Sequence, residues 1–524
     1  RTRLPGGNRE PKPQSVTFEQ GENAMRLHAV RKLLLAIVGP IGTLGPAGAA
    51  RWIVPIVCAP LLYVLMLRPI VGLADNGDFL RIMATVGLDY VDPAMSYHDK
   101  YFGYFIREYR LTDFGHGGYV STQIVPVLAA IGLNKLIYSA DVFDIRFLAA
   151  IYGALLAVAL SLLVRANGGN SAAYNIALIA LSVFLFADAG YTAYFNSLYG
   201  EPVSFLSLLL TVAFALGLAR QSRPSLPWLV GYFAAALFLT GAKIQNAPVG
   251  VLLALLGLRW VGLRRDIRWR TFALGGSALL LIGSVAMYGF APKALKRVNL
   301  YQTVFYGVLK DSPDPRRDLA ELGLDPKLAV LAGTNYFTPD TPIPQQSPVL
   351  DELFYGKTSH WKVALFYAKH PDRLLDKLET AARHGMTIRP YYLGNYEKSE
   401  SFPYGAVSDK FNLWSEWKRN RLPNALWFVM AVYAAFFSVV LREWRRAQTP
   451  GEKRYAETFA CIGFIGAVSF VVPVIGDGEA DLGKHLFLFN VCFDAMLASG
   501  VLWIARRLAA LPEKWPLAKK VSPG

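Results

Sequence analysis

The feature that most constrains this chain is a series of apolar runs, each about 16–22 residues long, separated by shorter polar segments. A helix of about 20 apolar residues is needed to cross a bilayer hydrocarbon core about 30 Å thick. The charged residues fall between the runs, as expected for helices whose sides contact lipid. The runs predict an all-α polytopic membrane protein with about ten spans, at 52–71, 145–164, 173–190, 203–219, 227–242, 246–262, 271–290, 422–441, 455–474 and 485–506.

Composition excludes a soluble multidomain protein. Only 18% of the residues are charged and 53% are hydrophobic, whereas a soluble chain carries about a quarter charged residues. The formal net charge of +16 does not indicate a nucleic-acid partner, because Lys and Arg cluster in short loops between spans. That distribution is the one the positive-inside rule describes for cytoplasmic loops.

The basic loops also set the predicted topology. With ten spans, every basic loop falls on one side, which is predicted to be cytoplasmic together with both ends of the chain. The apolar segment Thr122–Tyr138 would invert all later loops if it crossed the membrane, so it is predicted to be an interfacial or re-entrant helix on the outer side. The basic positions used are Arg51, Arg165, Arg220–Arg223, Arg264–Arg270, Arg442–Arg454 and Arg506–Arg507.

This topology divides the chain into five regions. The segment Leu33–Ala50 resembles either a signal peptide or an interfacial helix leading into the first span, and we favour the interfacial helix. The stretch His360–His384 has amphipathic helical spacing. The regions are a cytoplasmic tail with interfacial helix at 1–51, a transmembrane module at 52–290 with a first outer loop at 72–144, a mainly helical outer insertion or lid at 291–421, C-terminal spans at 422–506 and a cytoplasmic tail at 507–524.

Ionisable residues collect at the outer ends of the predicted spans. Asp75 and Asp78 follow the first span, and they either form an ordinary turn and helix cap or carry chemistry. Glu201 begins a helix, where it either complements the helix dipole or joins Asp75 in one site. Lys243 either snorkels to the interface or binds an anion. The last outer loop adds Asp481, Lys484 and His485, and Asn490 and Asp494 lie one turn apart in the last span.

In this layout the chain resembles the GT-C glycosyltransferases, which use polyprenyl-phosphate sugars on the outer membrane face. Protein O-mannosyltransferases and lipid A aminoarabinose transferases have a first outer loop beginning Asp-Glu-x-x-Tyr, and Asp75-Asn-Gly-Asp-Phe79 is similar, with Asn76 in place of Glu and Phe79 in place of Tyr. An interfacial helix and an Arg opening the second span follow in those enzymes, as Thr122–Tyr138 and Arg146 do here.

The resemblance continues through the first seven spans. Glu201 occupies the place of an acid near a helix start, and Leu239–Pro248 is a looser form of Leu-Thr-Lys-Gly-Pro. The insertion at 291–421 departs from those members, whose extra domain commonly lies at the C-terminus. The segments Ala-Asp-Asn-Gly-Asp-Phe and Leu-Gly-Asn-Tyr-Glu-Lys also resemble hexose transferases of bacterial cell-envelope glycans.

The resemblance implies a GT-C-like helical bundle in the bacterial cytoplasmic (inner) membrane, with its active site on the outer face. It implies inverting transfer of a sugar to an envelope glycan or lipid acceptor, with Asp75 or Asp78 as general base and Glu201 as a second catalytic acid residue that orients substrate. The groups expected to bind substrate, chiefly the donor phosphate, are Arg81, Lys100, Lys243, Asp481, Lys484 and His485.

The expected partners are the lipid-linked sugar donor, the acceptor and the bilayer, with no nucleic acid, and the protein is expected to be a monomer. No dedicated metal site is predicted, although Asp75, Asp78 and Glu201 offer oxygen ligands for a possible divalent cation, Mg²⁺ or Mn²⁺. Two alternatives stay open, a flippase for polyprenyl-linked substrates and an assembly protein without chemistry. No inverted repeat between the halves supports the flippase.

Overall fold

The computed structural model describes residues 45–113, 115–169 and 171–509, and most of them are helical. Within these residues, eight helices are long and apolar enough to cross a membrane, which shows an all-α polytopic membrane protein. These helices are α1 (Pro46–Leu65), α5 (Arg146–Asn167), α8 (Glu201–Arg220), α10 with its flanking turns (Ile244–Leu263), α11 (Ile267–Gly289), α18 (Leu426–Arg446), α19 (Pro450–Asp477) and α21 (Phe487–Ala509).

The remaining two predicted spans are shorter helices. Helix α6 (Ala172–Phe186) continues after a 47° bend through α7 (Ala189–Thr192) and a 3-10 turn to Asn196. Helix α9 (Leu226–Ala242) has 17 residues and packs along α8. Because Lys243 after α9 contacts Glu201 at the start of α8, α9 returns over the whole length of α8. We infer that the described chain passes between the two faces of the bundle ten times.

One face of the bundle, here the basic face, gathers the loops that the sequence analysis placed together. Arg220 and Arg506 donate to the backbone oxygens of Ala166 and Asn167 at the end of α5. Arg454 donates to the backbone oxygen of Arg259, whose side chain is paired with Glu457. The start of α1 also lies here, against Gly168. The start of α1 and the end of α21 therefore lie at the same face, as predicted.

Helix α4 (Ile124–Ile137) does not cross the bundle. Its 14 residues rise about 21 Å, which is shorter than a hydrocarbon core. At its start, the backbone amide of Thr122 donates to Gly241 at 2.9 Å, and at its end Asn134 binds the backbone oxygen of Val142, just before α5. Both ends therefore lie at the face opposite the basic loops, in agreement with the predicted interfacial or re-entrant helix.

That opposite face, here the insertion face, carries residues 72–144 and 291–421. The first segment contains helices α2 (Phe79–Val86) and α3 (Tyr97–Lys100) and, beyond the all-α prediction, a small antiparallel sheet. The strands are β1 (Leu88–Tyr90), β2 (Glu108–Leu111) and β3 (Val142–Asp144), in the order β1-β2-β3. Strands of three or four residues are too short for their alternation to register in a sequence pattern.

The insertion is helical with long loops. Its predicted amphipathic stretch His360–His384 is two helices, because Pro371 begins a new helix after His370. Its regular elements are α12 (Lys293–Tyr301), a π-helical turn (Gln302–Val308), α13 (Pro315–Glu321), a 3-10 helix (Pro326–Leu331), α14 (Pro348–Leu353), α15 (His360–Lys369), α16 (Pro371–Arg383), a 3-10 turn (Lys398–Glu400) and α17 (Leu413–Arg421), and α20 (Leu482–His485) follows α19.

Two predicted boundaries move. Helix α1 begins at Pro46 and contains Arg51, so the first span starts six residues before the predicted position 52 and ends at Leu65 rather than at 71. The last span starts at Phe487, because Lys484 and His485 belong to the separate short helix α20. Residues 1–44 of the predicted tail and interfacial helix, and 510–524 of the C-terminal tail, lie outside the described residues.

Candidate functional site

The segment that leaves α1 is held in place by the insertion. The backbone amide of Gly72 donates to the oxygen of Asn395 at 3.0 Å, and the Asn395 side chain donates back to the oxygen of Gly72 at 2.7 Å. Ala74 donates to Gly394 in the same way. The Leu-Gly-Asn-Tyr-Glu-Lys segment noted in the sequence therefore serves as the clamp that fixes the backbone leading into Asp75.

Asp75 lies directly after this clamp and is 2% exposed. Its Oδ1 accepts from the backbone amides of Gly77 at 2.7 Å and Phe79 at 3.1 Å, which ties it to the start of α2. Its Oδ2 accepts from the hydroxyl of Tyr90 at 3.2 Å. Burial raises the pKa of Asp75 to about 6, against the opposing effect of the two amide hydrogen bonds. The group is thus poised to exchange a proton near neutral pH.

A cluster of charges adjoins Asp75. Lys484 is buried and donates to Asp78 Oδ2 at 2.5 Å and to Asp481 Oδ2 at 2.8 Å. Arg81 donates to the other oxygen of Asp78 at 2.8 Å. Burial alone would raise the pKa of Asp78, but Lys484 and Arg81 outweigh it and hold that pKa well below its usual range. Asp78 is therefore fixed as a carboxylate.

A second ion pair, Glu201–Lys243, lies near enough for its lysine to help lower the pKa of Asp78. Glu201, the first residue of α8, is 2% exposed and accepts from Lys243 Nζ at 2.6 Å. Its neighbour Gly200 has no side chain, and a Cβ there would stand 3.0 Å from Lys243 Cγ, so glycine leaves the room that the lysine occupies. This pair connects the start of α8 to the end of α9.

Aromatic and amide groups join these parts into one site. The Tyr199 hydroxyl donates to the backbone oxygen of Ala74 at 2.8 Å and accepts from the amide of Asn76 at 3.0 Å. Lys484 lies over the Tyr199 ring, with Nζ 5.2 Å from its centroid. Asn76 Nδ2 and the hydroxyl of Tyr392 both donate to Asp481. The site thus combines the segment after α1, the start of α8, the end of α9, the α19–α21 connection and the insertion.

A family model described as the YfdI N-terminal transmembrane domain matches residues 47–520. The chain belongs to this family. The match takes in the whole site, including the clamp from the insertion. No curated protein and no solved structure shows significant similarity to the chain.

Most of the sequence-predicted site residues lie together in this YfdI-family fold. The cluster contains Asp75, Asp78, Arg81, Glu201, Lys243, Asp481 and Lys484.

Two predicted residues lie apart from the charge cluster. Lys100 Nζ is 5.1 Å from the centroid of the Tyr90 ring and donates to the backbone oxygen of Pro93. The His485 ring turns to Asp477, at 3.0 Å, and to Gln245, at 3.1 Å.

The three carboxylates do not suit a divalent cation. Asp78 and Glu201 are occupied by Lys484, Arg81 and Lys243, whereas Mg²⁺ binding calls for oxygen ligands that are free to turn toward one point. Within the described residues, no group of three His, Cys, Asp or Glu side chains is arranged to hold a metal ion. The donor set therefore does not fit the Mg²⁺ or Mn²⁺ option raised by the sequence.

The sequence indicated Asn490 and Asp494 as candidate functional residues within the last span. In the structure they bind the insertion rather than each other. Asn490 donates to the backbone oxygen of Thr387 at 2.9 Å. Asp494 accepts from Lys418 at 2.5 Å, from the Tyr191 hydroxyl and from Trp414 Nε1. These contacts fasten α17 and the loop after α16 to the last span, so these residues have an anchoring role.

Several residues of the site escaped the sequence analysis. Tyr90, Tyr392 and Asn395 carry no charge and stand in no recognisable catalytic pattern, although Asn395 lies within the segment noted for its wording. Tyr90 reaches Asp75 only because β1 turns back beside the first loop, and Tyr392 reaches Asp481 only through the fold of the insertion. A short local pattern does not reveal such contacts.

Proposed function

We propose that this chain is a membrane glycosyltransferase of GT-C type that moves a sugar from a polyprenyl-phosphate donor to a cell-envelope glycan or lipid acceptor. The observation that carries the proposal is a buried carboxylate, Asp75, with a pKa raised to about 6, beside a cluster of lysine and arginine side chains at one face of a membrane bundle. The resemblance of Asp75–Phe79 to the first outer loop of GT-C enzymes supports it. The basic loops at the opposite face support a site outside the cytoplasm, because the positive-inside rule puts such loops in the cytoplasm.

Among the three acidic candidates, Asp75 is the best general base. Asp78 is held as a carboxylate by two cations, and its lowered pKa makes it a weak base. Glu201 is occupied by Lys243 at 2.6 Å. Asp75 has a pKa near the working pH, where a general base is most effective, a role worth about 10²–10⁴-fold in rate.

The proposed reaction is a single displacement. The acceptor hydroxyl takes the place of the Tyr90 hydroxyl on Asp75 Oδ2 and gives its proton to that oxygen. The acceptor oxygen forms a bond to the anomeric carbon as the bond from that carbon to the phosphate oxygen breaks. Polyprenyl phosphate leaves with the bonding electron pair, so the configuration at the anomeric carbon inverts.

The cations of the cluster suit the leaving phosphate. The Arg81 and Lys243 side chains are 39% and 21% exposed, so both can be reached by a ligand. In the described structure Lys243 donates one hydrogen bond, to Glu201, and an ammonium group has three donors. Stabilising the charge that develops on the leaving group is commonly the largest catalytic contribution of such donors.

Helix α4 offers an apolar surface for the lipid part of the donor. Its start is tied to the site, because the Gln123 side chain donates to the backbone oxygens of Leu198 and Tyr199. Further along, Val125 and Leu136 are 55% and 84% exposed. A polyprenyl chain lying along α4 would bring its phosphate to the Lys243 end of the site.

The test uses the purified full-length protein in liposomes with a labelled polyprenyl-phosphate hexose and lipid-linked envelope glycan as acceptor. Transfer of label to the acceptor with release of polyprenyl phosphate is the expected result. Movement of the donor across the bilayer without release would instead identify a flippase. If neither transfer nor movement is observed, the result favours an assembly protein without chemistry.

Asp75→Asn is the informative variant and Asp89→Asn its matched control. Asp89 lies in the same outer segment but is exposed and paired with Arg110. We expect Asp75→Asn to lose transfer by at least about 10²-fold while Asp89→Asn keeps it. Normal transfer by a folded Asp75→Asn protein would remove Asp75 from the mechanism.

A further inference from the structure

A group of aromatic side chains lies exposed on the insertion face beside Asp75 and belongs to none of the contacts described so far. Its members, here the aromatic shelf, are His98, Tyr104 and Tyr404, which pack on one another, and Tyr97, which precedes His98 and packs against Tyr101. Tyr97 is 70% exposed and Tyr404 is 43% exposed, and the His98 side chain is 64% exposed. A contiguous exposed apolar patch with a polar rim is typical of an interaction site or a ligand-binding groove.

The shelf is assembled from two distant parts of the chain. The His98 ring stacks on the Tyr404 ring with centroids 3.9 Å apart, and Tyr104 meets Tyr404 edge-on at 5.5 Å. The Tyr404 hydroxyl donates to the backbone oxygen of Tyr101 at 2.9 Å. The Tyr404 ring lies so close to Gly103 that a Cβ there would be 1.9 Å from it, so glycine is needed for the ring to pack against the backbone.

A row of rings leads from the shelf to the proposed base. Tyr97 packs against Tyr101 at 4.9 Å, and Tyr101 packs against Tyr90 at 6.4 Å. Tyr90 is the residue whose hydroxyl donates to Asp75 Oδ2. In addition, the amide of Phe102 donates to the backbone oxygen of Asp75 at 2.8 Å. A sugar chain whose end reaches Asp75 would therefore have its next residues within reach of the shelf.

Charged groups around the shelf indicate that it faces water rather than lipid. Lys398 and Asp99 form an ion pair at 2.8 Å beside His98, with the Lys398 side chain 63% exposed. Glu400, which lies two residues after Lys398, pairs with Arg68 at 3.7 Å. Tyrosines that serve as a membrane belt contact lipid on one side. Ion pairs such as those around the shelf would be costly in contact with lipid.

We propose that the aromatic shelf is an acceptor subsite that stacks on the sugar rings of a glycan whose terminal hydroxyl lies at Asp75. Pyranose rings present C–H groups on their faces, and these suit the outward faces of the Tyr97 and His98 rings, because the Tyr404 ring is covered by His98 and Gly103. The Asp99–Lys398 pair supplies polar partners for the hydroxyls at the ring edges. This inference rests on the proposed transferase function and adds that the acceptor is a glycan engaged through several sugar residues.

The test compares acceptor and donor kinetics in the liposome assay. We expect Tyr97→Ala with His98→Ala to raise the acceptor KM at least about tenfold and to leave the donor KM unchanged. Tyr97→Phe keeps the ring and should keep the acceptor KM. Phe337→Ala is the matched control, because Phe337 is 71% exposed on the insertion but lies outside the shelf. An acceptor KM within twofold of the parent for the double variant would overturn the subsite.

A binding measurement separates failure of the subsite from failure of the function. Saturation-transfer NMR is recorded on the full-length protein with envelope polysaccharide of the source bacterium, freed of its lipid by mild acid. Binding by the parent and by Asp75→Asn, and loss of binding in the shelf variant, supports the shelf even if no transfer is found. Equal signals from the parent and the shelf variant would refute it even if transfer is found.

Discussion

Lys484 at the insertion face and Lys418 beside the last span are both buried lysines that donate to a carboxylate at 2.5 Å, but their surroundings differ. Lys418 and Asp494 are fully buried, and the two remaining donors to Asp494 are Tyr191 and Trp414. Lys484 instead serves two carboxylates, and both are partly exposed.

The difference separates an anchor from a site. The Asp494 carboxylate accepts from Lys418, Tyr191 and Trp414 and is fully buried, so a ligand has no access to it. Asp78 and Arg81 beside Lys484 remain 28% and 39% exposed, so their hydrogen bonds can be rearranged around a substrate. Burial of the lysine alone does not distinguish the two roles, whereas exposure of its carboxylate partners does.

The largest effect is expected when the Lys418–Asp494 ion pair is removed. Asp494→Leu leaves the Lys418 ammonium buried without its carboxylate, and we expect a loss of about 3–5 kcal/mol in the free energy of unfolding. Unfolding of the reconstituted protein by SDS titration measures it. Lys418→Met combined with Asp494→Leu removes both charges and should recover much of that loss. A single variant as stable as the parent would show that the pair does not anchor α17.

The equivalent change at the site should act on activity more than on stability. Lys484→Met removes a cation from Asp78 and Asp481, but Arg81 still pairs with Asp78. We expect transfer to fall by about 10²–10³-fold, the range for losing a stabilising donor, with a smaller stability loss than in Asp494→Leu. The reverse order of the two stability losses would contradict the division into anchor and site.

The pH dependence sharpens the same contrast, because burial raises the pKa of Asp75 to about 6. Transfer requires the unprotonated base, so the rate should fall about tenfold per pH unit below pH 6. Stability changes in the opposite sense. A folded-state pKa raised from 3.8 favours the protonated folded form, so the stability contributed by the neutral carboxyl group is present below pH 4 and lost as pH rises through 6.

Two curves check these statements. The pH profile of transfer under saturating acceptor should show its acid limb near pH 6, and the stability profile of Asp75→Asn should lack the change between pH 4 and 6. An acid limb well below pH 5 would point instead to a carboxylate with an ordinary or lowered pKa, such as Asp78.

The smallest effect is expected at the basic face. Arg259 and Glu457 form a two-point ion pair, with both N–O distances at 2.9 Å, but the Arg259 side chain is 56% exposed. Water screens such a pair, so Arg259→Gln should cost no more than about 1 kcal/mol. Transfer by the reconstituted variant should be unchanged. A large loss of transfer would mean that the basic face takes part in the reaction.

The sequence predicted some of the site because membrane topology restricts where a residue can be. Once Asp75, Glu201, Lys243 and Lys484 were assigned to the outer ends of spans, they were confined to one face of a bundle, and the structure brings them into one cluster. The sequence did not separate His485 from Lys484. The His485 ring turns to Asp477 because α20 is a single helical turn that directs the side chains of Lys484 and His485 apart.

The sequence by itself determined the class of molecule, the common side of the basic loops and the return of α4 to its starting face. Bilayer thickness and the cost of charge in hydrocarbon act on lengths and compositions, which are readable along the chain. Only the tertiary structure decided which carboxylate is the candidate base. Asp78 has its pKa lowered by Lys484, a residue 406 positions away, while Asp75 is buried beside Tyr90. Those differences depend on contacts of a few ångströms between distant segments, and no local pattern encodes them.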